Sequence, residues 1–432
     1  ANVTVDGKVS DPDAMKSAGS LEFQGVTIAT ASSKNPIKNM SGVVSFNNQN
    51  VETKKLLMTI GKSDLALAFT IKNYLSLVSD KKGAPKPSAN ITLNSNHLYA
   101  TDIMGEDKTA AGKSSGEGQS KAGTEPSGGK PAGKSEMKAS VPLPNMDMTV
   151  NATIAMLTTE KLEMKNVRGV LRISNGAVVD LQNVTLNMYN GAIASKGNLD
   201  FKNLKRPTFN LNLDMKNLKA NTALSTFTSF GQKLFGDLNM DVAISGALDD
   251  TMGLIPSSLN ATGKTAVNNG RLSGVKVNEQ IASLIHLPDV SEINFKDWVT
   301  AFSIKDGRVV IPDLKIAALG ADYVINGSQG LDGSMDFKMV VLLSEAMSAK
   351  ASVPGFAGEV LNALKEPNGR LKLDFNVGGS TDNPKVQLDT KALQVRATDF
   401  LKQKLDAETK KQTDDLKSKG TDLLKDLFKK KK

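Results

Sequence analysis

The 432-residue chain carries 54 Lys and Arg against 45 Asp and Glu, a net charge of +9, with 39% hydrophobic and 23% charged residues, the proportions of a folded, water-exposed protein. It has no cysteine and two histidines, His97 and His286, which excludes disulfides, thiolate metal sites, thiol catalysis and a three-histidine metal centre. Aromatic residues are only 5%, and no arginine-rich run, zinc finger or RNA-recognition signature accompanies the positive charge, which argues against nucleic acid as a partner.

The chain opens on Ala1-Asn2-Val3-Thr4-Val5, already alternating like a strand and without a Met. Neither a signal peptide nor an apolar run of about 18 residues follows, so the reading is a mature form or fragment with any anchor upstream. Period two then dominates. Met146, Met148 and Val150 alternate with polar residues; so do Phe209, Leu211, Leu213 and Met215, then Leu238, Met240, Val242 and Ile244, and last Leu371, Leu373, Phe375 and Val377. Such runs put apolar side chains on one sheet face and polar ones on the other. Asn175-Gly176, Asn190-Gly191, Asn269-Gly270 and Asp306-Gly307 supply positive φ for hairpin turns between them. The expectation is a mainly β fold, a long antiparallel meander.

Few helices interrupt the strands. Asn221–Phe235 gathers Leu224, Phe227, Leu234 and Phe235 on one side; Asn278–Leu287 carries an apolar stripe of Ile281, Leu284 and Ile285; Val360–Leu364 forms a third short turn. Three short helices cannot cover so much sheet, so the apolar face packs on the sheet itself or stays available to a nonprotein partner. Residues 105–140 are Gly, Ser, Lys, Ala and Pro with almost no large apolar group, and read as a disordered linker or solvated loop. The organisation is then 1–104, the linker 105–140, a second strand-rich region 141–388, and a tail, 389–432.

That tail places Leu393, Ala397, Phe400, Leu401 and Leu405 on one helical face, and Leu416, Leu423, Leu424, Leu427 and Phe428 repeat the spacing across Gly420, which weakens the helix between them. It ends in Lys429, Lys430, Lys431 and Lys432. Phe400, Leu401, Leu424, Leu427, Phe428 and the four terminal lysines are the candidates for contact with an anionic membrane surface. Packing of the same helix back onto an open sheet edge is the competing reading.

No catalytic constellation appears. The adjacent acids Asp249-Asp250 and Asp414-Asp415 sit in polar turn-like and helix-like contexts, and neither a Gly-rich phosphate cradle nor a cluster of metal ligands is present. The expectation is a protein that is not an enzyme and needs no cofactor.

A long repeat organises the strands. Met40–Phe46 is echoed by Val167–Ile173 and again by Trp298–Ile304, and Asn190–Gly197 by Leu319–Gly327. The offset of 127 from Gly42 to Gly169 suits a repeated multistrand meander rather than a short solenoid unit. Within 215–287 a short helix precedes Gly236–Gly246, then Leu259–Gly274 with its Asn-Gly-Arg-Leu-x-Gly run, then a second helix over Val277–Leu287. Gly379-Ser380 and the following Pro384-Lys385-Val386-Gln387-Leu388 close the strand-rich region.

In this order and spacing the chain resembles the AsmA-like family, including its C-terminal region and the related TamB-type envelope proteins, over roughly 35–100 and 141–400. The resemblance implies a periplasmic, inner-membrane-anchored protein of Gram-negative type, a long curled β-sheet with a hydrophobic groove, linked to outer-membrane biogenesis and phospholipid traffic. The family's N-terminal transmembrane helix is absent from the chain. On this reading phospholipid or another acyl lipid is the partner, shielded along the groove. Phe209, Leu211, Leu213, Met215, Leu238, Met240, Val242, Leu371, Leu373 and Phe375 are its candidate lining. A structural β-repeat scaffold or adhesin-like protein, with an ordinary protein core and no lipid groove, is the alternative.

Overall fold

Alternating apolar and polar residues become strands almost throughout. The computed structural model describes residues 1–7, 16–29, 35–77, 83–104, 146–159, 162–174, 177–225, 229–250, 252–353 and 359–429. The linker 105–140 and the Asn175-Gly176 pair lie outside the described residues. The chain divides into two units, one of Ala1–Lys216 with Val242–Leu259, the other of Asn217–Asp241 with Asn260–Lys432.

The first unit is a meander in which each strand pairs with the next. Its strands are β1 (Asn2–Asp6), β2 (Lys16–Ile28), β3 (Ile37–Asn47), β4 (Asn50–Ile60), β5 (Ser63–Lys72) and β6 (Ser88–Tyr99), then β7 (Asp147–Thr158), β8 (Glu163–Ser174), β9 (Val178–Met188), β10 (Gly191–Asp200) and β11 (Thr208–Lys219). A five-residue helix, α1 (Ala100–Met104), follows β6. One pairing departs from the expected antiparallel rule: β6 and β7 run parallel, Ser88 beside Asp147 through Tyr99 beside Thr158. Parallel neighbours need a crossover of a dozen or more residues, because the chain must return to the strand's starting end. Residues 100–146 provide that length, and the strands on either side of the linker thus belong to one unit.

The repeat is visible as backbone geometry. Asn39 and Asn166, 127 positions apart like Gly42 and Gly169, both adopt left-handed φ, 56° and 52°. Each falls at a register shift, between Lys38 and Ser41 on β3 and between Lys165 and Arg168 on β8. Asparagine tolerates this conformation because its side chain hydrogen-bonds locally, so the pair marks the same bulge in two copies.

In the second unit α2 (Ala220–Ser225) lies within the 217–241 segment, and β13 (Asn260–Leu272) and the strands after it form a second antiparallel meander. Between them, β12 (Leu234–Ala247) has residues in both units. Next come α3 (Lys276–Leu284), β14 (Ile293–Lys305), β15 (Arg308–Ala318), β16 (Ala321–Gly330), β17 (Met335–Leu343), α4 (Glu345–Lys350), α5 (Glu359–Ala363), β18 (Lys372–Gly379), β19 (Pro384–Leu388) and α6 (Thr390–Lys429). Ser344 caps α4, its hydroxyl accepting from the Met347 N–H. Helix α6 continues through Gly420 to Lys429, so the glycine does not end it.

The turn expectations divide. Asp306-Gly307 has positive φ at both residues and makes a two-residue hairpin loop, while the turn expected at Asn190-Gly191 falls one residue earlier, at Tyr189-Asn190, with Gly191 already opening β10. Asn269-Gly270 is no turn: both residues lie inside β13, and the Phe295 ring lies where a side chain on Gly270 would stand. The expected helix over Asn221–Phe235 is shorter than its apolar pattern suggested. Leu234 and Phe235 already begin β12, where β-sheet pairing outweighs a weak helical stripe.

Candidate functional site

The register of the first unit sets apolar side chains in rows that cross the strands. Val3, Gly19, Phe46, Val51, Ile71, Ala89, Met148, Ile173, Val179, Leu199 and Phe209 succeed one another from β1 to β11, each paired with the next. Two residues further along the strands a second row reads Phe69, Ile91, Val150, Leu171, Leu181, Gly197 and Leu211. No polar side chain interrupts either row. Of the first row only Ala89 is buried; Val3 is 51% exposed and the others are half-buried.

Half-burial has a structural cause. Among the described residues the first unit contains one α-helix, the short α1, which packs at the end of β6. Within the unit the apolar side chains are shielded by their neighbours along and across the strands. Burial is deepest on β3 to β5, where Met40, Leu56, Met58 and Leu65 form a cluster flanked by Phe23, Val26 and Leu93. On β7 to β11 the face is less covered.

The candidates Phe209, Leu211, Leu213 and Met215 lie on β11, facing Leu199, Gly197, Ser195 and Ile193 of β10, and all four are half-buried. Val242 also falls in the first unit and is buried. Leu238, Met240, Leu371, Leu373 and Phe375 belong to the second unit. There Leu371 and Leu373 are fully buried, Phe375 and Leu238 nearly so, and Met240 is half-buried. Helices explain the contrast: α3 packs on β19, α4 on β17, and α6 on β18, with Leu393 of α6 fully buried. Arg396 of α6 donates to the Lys372 carbonyl at 3.0 Å and pairs with Asp374. Desolvation lowers the Arg396 pKa, and the nearby Glu366 charge opposes that shift.

The candidate lining read from sequence left out Phe46, Ile71, Val150, Leu171, Leu181 and Leu199, which the register places in the same rows. The signal was present: Leu65, Leu67, Phe69 and Ile71 alternate as cleanly as the β11 residues. Which strands stand side by side is what the alternation alone does not state.

Several polar groups singled out in the sequence have structural partners. The His97 ring lies 2.9 Å from the Thr158 hydroxyl and stacks on Tyr99, and the His286 ring faces the Ser352 carbonyl. Asp249 accepts from the Gly253 N–H inside its turn. Burial raises the Tyr323 pKa, helped by the Asp322 charge. Among the described residues no group of three or more His, Asp or Glu could hold a metal ion, and no helix is long and apolar enough to cross a membrane. On α6, Phe400, Val395 and Leu405 are exposed. The side chains of Leu401, Leu424, Leu427, Phe428 and Lys429, and the whole of Lys430, Lys431 and Lys432, lie outside what the structure describes.

One family model, that of the AsmA family, matches residues 1–314, more than half of the chain. The match takes in the Asn-Gly-Arg-Leu-x-Gly run at 269–274 but stops before the closing strand at 384–388. No curated protein and no solved structure matches.

Proposed function

The chain belongs to the AsmA family of envelope proteins, and on that premise we propose that it shields the acyl chains of phospholipid or a similar lipid on the apolar face of its first unit. The observation that carries the proposal is the uninterrupted row from Val3 to Phe209, apolar at all eleven positions and without a covering helix among the described residues. Ten inter-strand steps of about 4.8 Å give roughly 48 Å of face measured along the sheet. Each methylene removed from water there contributes about 0.8 kcal/mol, so a single acyl chain supplies ample driving force.

Phe209, Leu211, Leu213 and Met215, with Val150, Leu171 and Leu181, are the proposed contacts. The buried Leu238, Leu371, Leu373 and Phe375 would reach lipid only after the second unit's helices moved aside. Such a role belongs in the periplasm, in outer-membrane biogenesis, and is passive, with no catalytic step. Anchoring to the inner membrane would come from a segment preceding Ala1, and the exposed, basic α6 would rest on an anionic leaflet.

The test is native mass spectrometry with lipid extraction on the full chain purified from a Gram-negative periplasm. Co-purifying lipid that is lost in a folded Leu211→Asp, Leu213→Asp double variant is the expected result. A lipid-free chain with unchanged folding in both forms overturns it and leaves a structural β-repeat scaffold, which the helix-covered core of the second unit resembles.

A further inference from the structure

The opposite, polar face of the first unit carries a depression of about 290 Å³ over β5 to β8. Short Ala66, Thr153 and Ala155 and the longer Asn94, Asn166 and Arg168 are among its lining residues. The register aligns four of these in one cross-strand row: Ala66 beside Asn94, Asn94 beside Thr153, Thr153 beside Arg168. The Thr153 hydroxyl is therefore flanked on adjacent strands by a carboxamide and a guanidinium, each one strand spacing of about 4.8 Å away at the backbone.

Arg168, Asn94 and Thr153 are exposed, so their hydrogen-bonding groups face solvent and can exchange water for a ligand. Among the described residues the side chains of Arg168, Asn94 and Thr153 make no hydrogen bond or ion pair, whereas their neighbours are engaged. Asn166 donates to Asn187 at 3.1 Å. Asp64, the one acid lining the depression, accepts from the backbone N–H groups of His97 at 2.7 Å and Asn96 at 3.0 Å and from the Asn96 carboxamide. Its charge is thus held by its own strand partners and does not neutralise Arg168. The free groups are mostly donors, with one uncompensated positive charge, and the planar fork of arginine matches tetrahedral oxyanions.

We propose that Arg168, Asn94 and Thr153 form a site for a phosphate group, either free or as the head of a glycerophosphoryl compound, on the face opposite the apolar rows. The site does not depend on the acyl-chain reading, since it uses different residues on a different face.

The experiment is isothermal titration calorimetry of the full chain, at low ionic strength, with inorganic phosphate and separately with glycerophosphoethanolamine. Saturable binding of one or both is expected, weakened roughly tenfold or more in Arg168→Gln and in Asn94→Ala. Arg172→Gln, four positions along β8, should bind like the unaltered protein. Binding of both compounds identifies the phosphate as the recognised group; binding of glycerophosphoethanolamine alone identifies a lipid head. Absence of saturable binding to either, or equal binding by Arg168→Gln with an unchanged thermal melt, overturns the proposal.

Discussion

The Gln280 carboxamide pairs with the outer edge of β19 as a neighbouring strand would. Its Oε1 accepts from the Val386 N–H at 3.2 Å while its Nε2 donates to the Pro384 carbonyl at 3.0 Å. Lys276, one turn earlier on α3, donates to the Asp382 carbonyl. An open strand edge is a template for pairing with other chains, and here one side chain occupies it. Gln280→Ala should cost about 1–3 kcal/mol by leaving two backbone groups without partners. It should also raise the fraction of oligomer seen by light scattering during size exclusion, where Gln280→Glu, which keeps only the acceptor, should fall between the two.

The two units should answer truncation differently. Leu373 is fully buried and sits beside Val341, also fully buried, so Leu373→Ala leaves a cavity and should cost about 2–5 kcal/mol. Leu213 is half-buried, and Leu213→Ala should cost about 1 kcal/mol or less. Chemical denaturation of both variants measures the difference. Equal losses would mean that the first unit's face is covered in solution.

Asp64 links stability of the first unit to pH. Burial pushes its pKa up, but the N–H groups of Asn96 and His97 outweigh that and hold it below the ordinary aspartate range. With the folded value below the unfolded one, its contribution is complete above about pH 4 and disappears as pH falls through the lowered value. Denaturation curves of the protein and of Asp64→Asn should be separated at pH 7 and converge towards pH 2. A constant gap would refute the linkage.

Asp102 on α1 closes the β4–β5 hairpin. Its carboxylate accepts from the N–H groups of Lys62 at 2.8 Å and Ser63 at 3.0 Å and from the Ser63 hydroxyl at 2.8 Å. Asp102→Ala should cost about 1–3 kcal/mol, read from urea unfolding. Gly61→Ala should be as damaging for a different reason: φ is 57° there, and an added Cβ would collide with the Asp102 carboxylate.

Much of the fold was legible in residues 209–215 and their like, because a strand's side-chain period is local and solvent sorts its two faces. The helix α3 was legible for the same reason, since Ile281 and Ile285 recur at helical spacing. Asn269-Gly270 misled because Asn269 has the positive φ of a turn residue yet lies inside β13, where Gly270 leaves room for the Phe295 ring. The parallel pairing of β6 with β7 was hidden by the long segment between them, which leaves strand direction undetermined.

The amino-acid order by itself thus determined which segments are strands, which side chains share a strand face, and that the long tail is helical, all consequences of periodicity within one segment. Tertiary structure alone decided which apolar faces are covered. Leu213 and Leu373 stand in similar alternating runs, yet one remains half-buried and the other is sealed under helices. Burial depends on what packs from elsewhere in the chain, and no local pattern encodes it. The alignment of Asn94, Thr153 and Arg168 is of the same kind: three residues far apart in sequence become neighbours only through register.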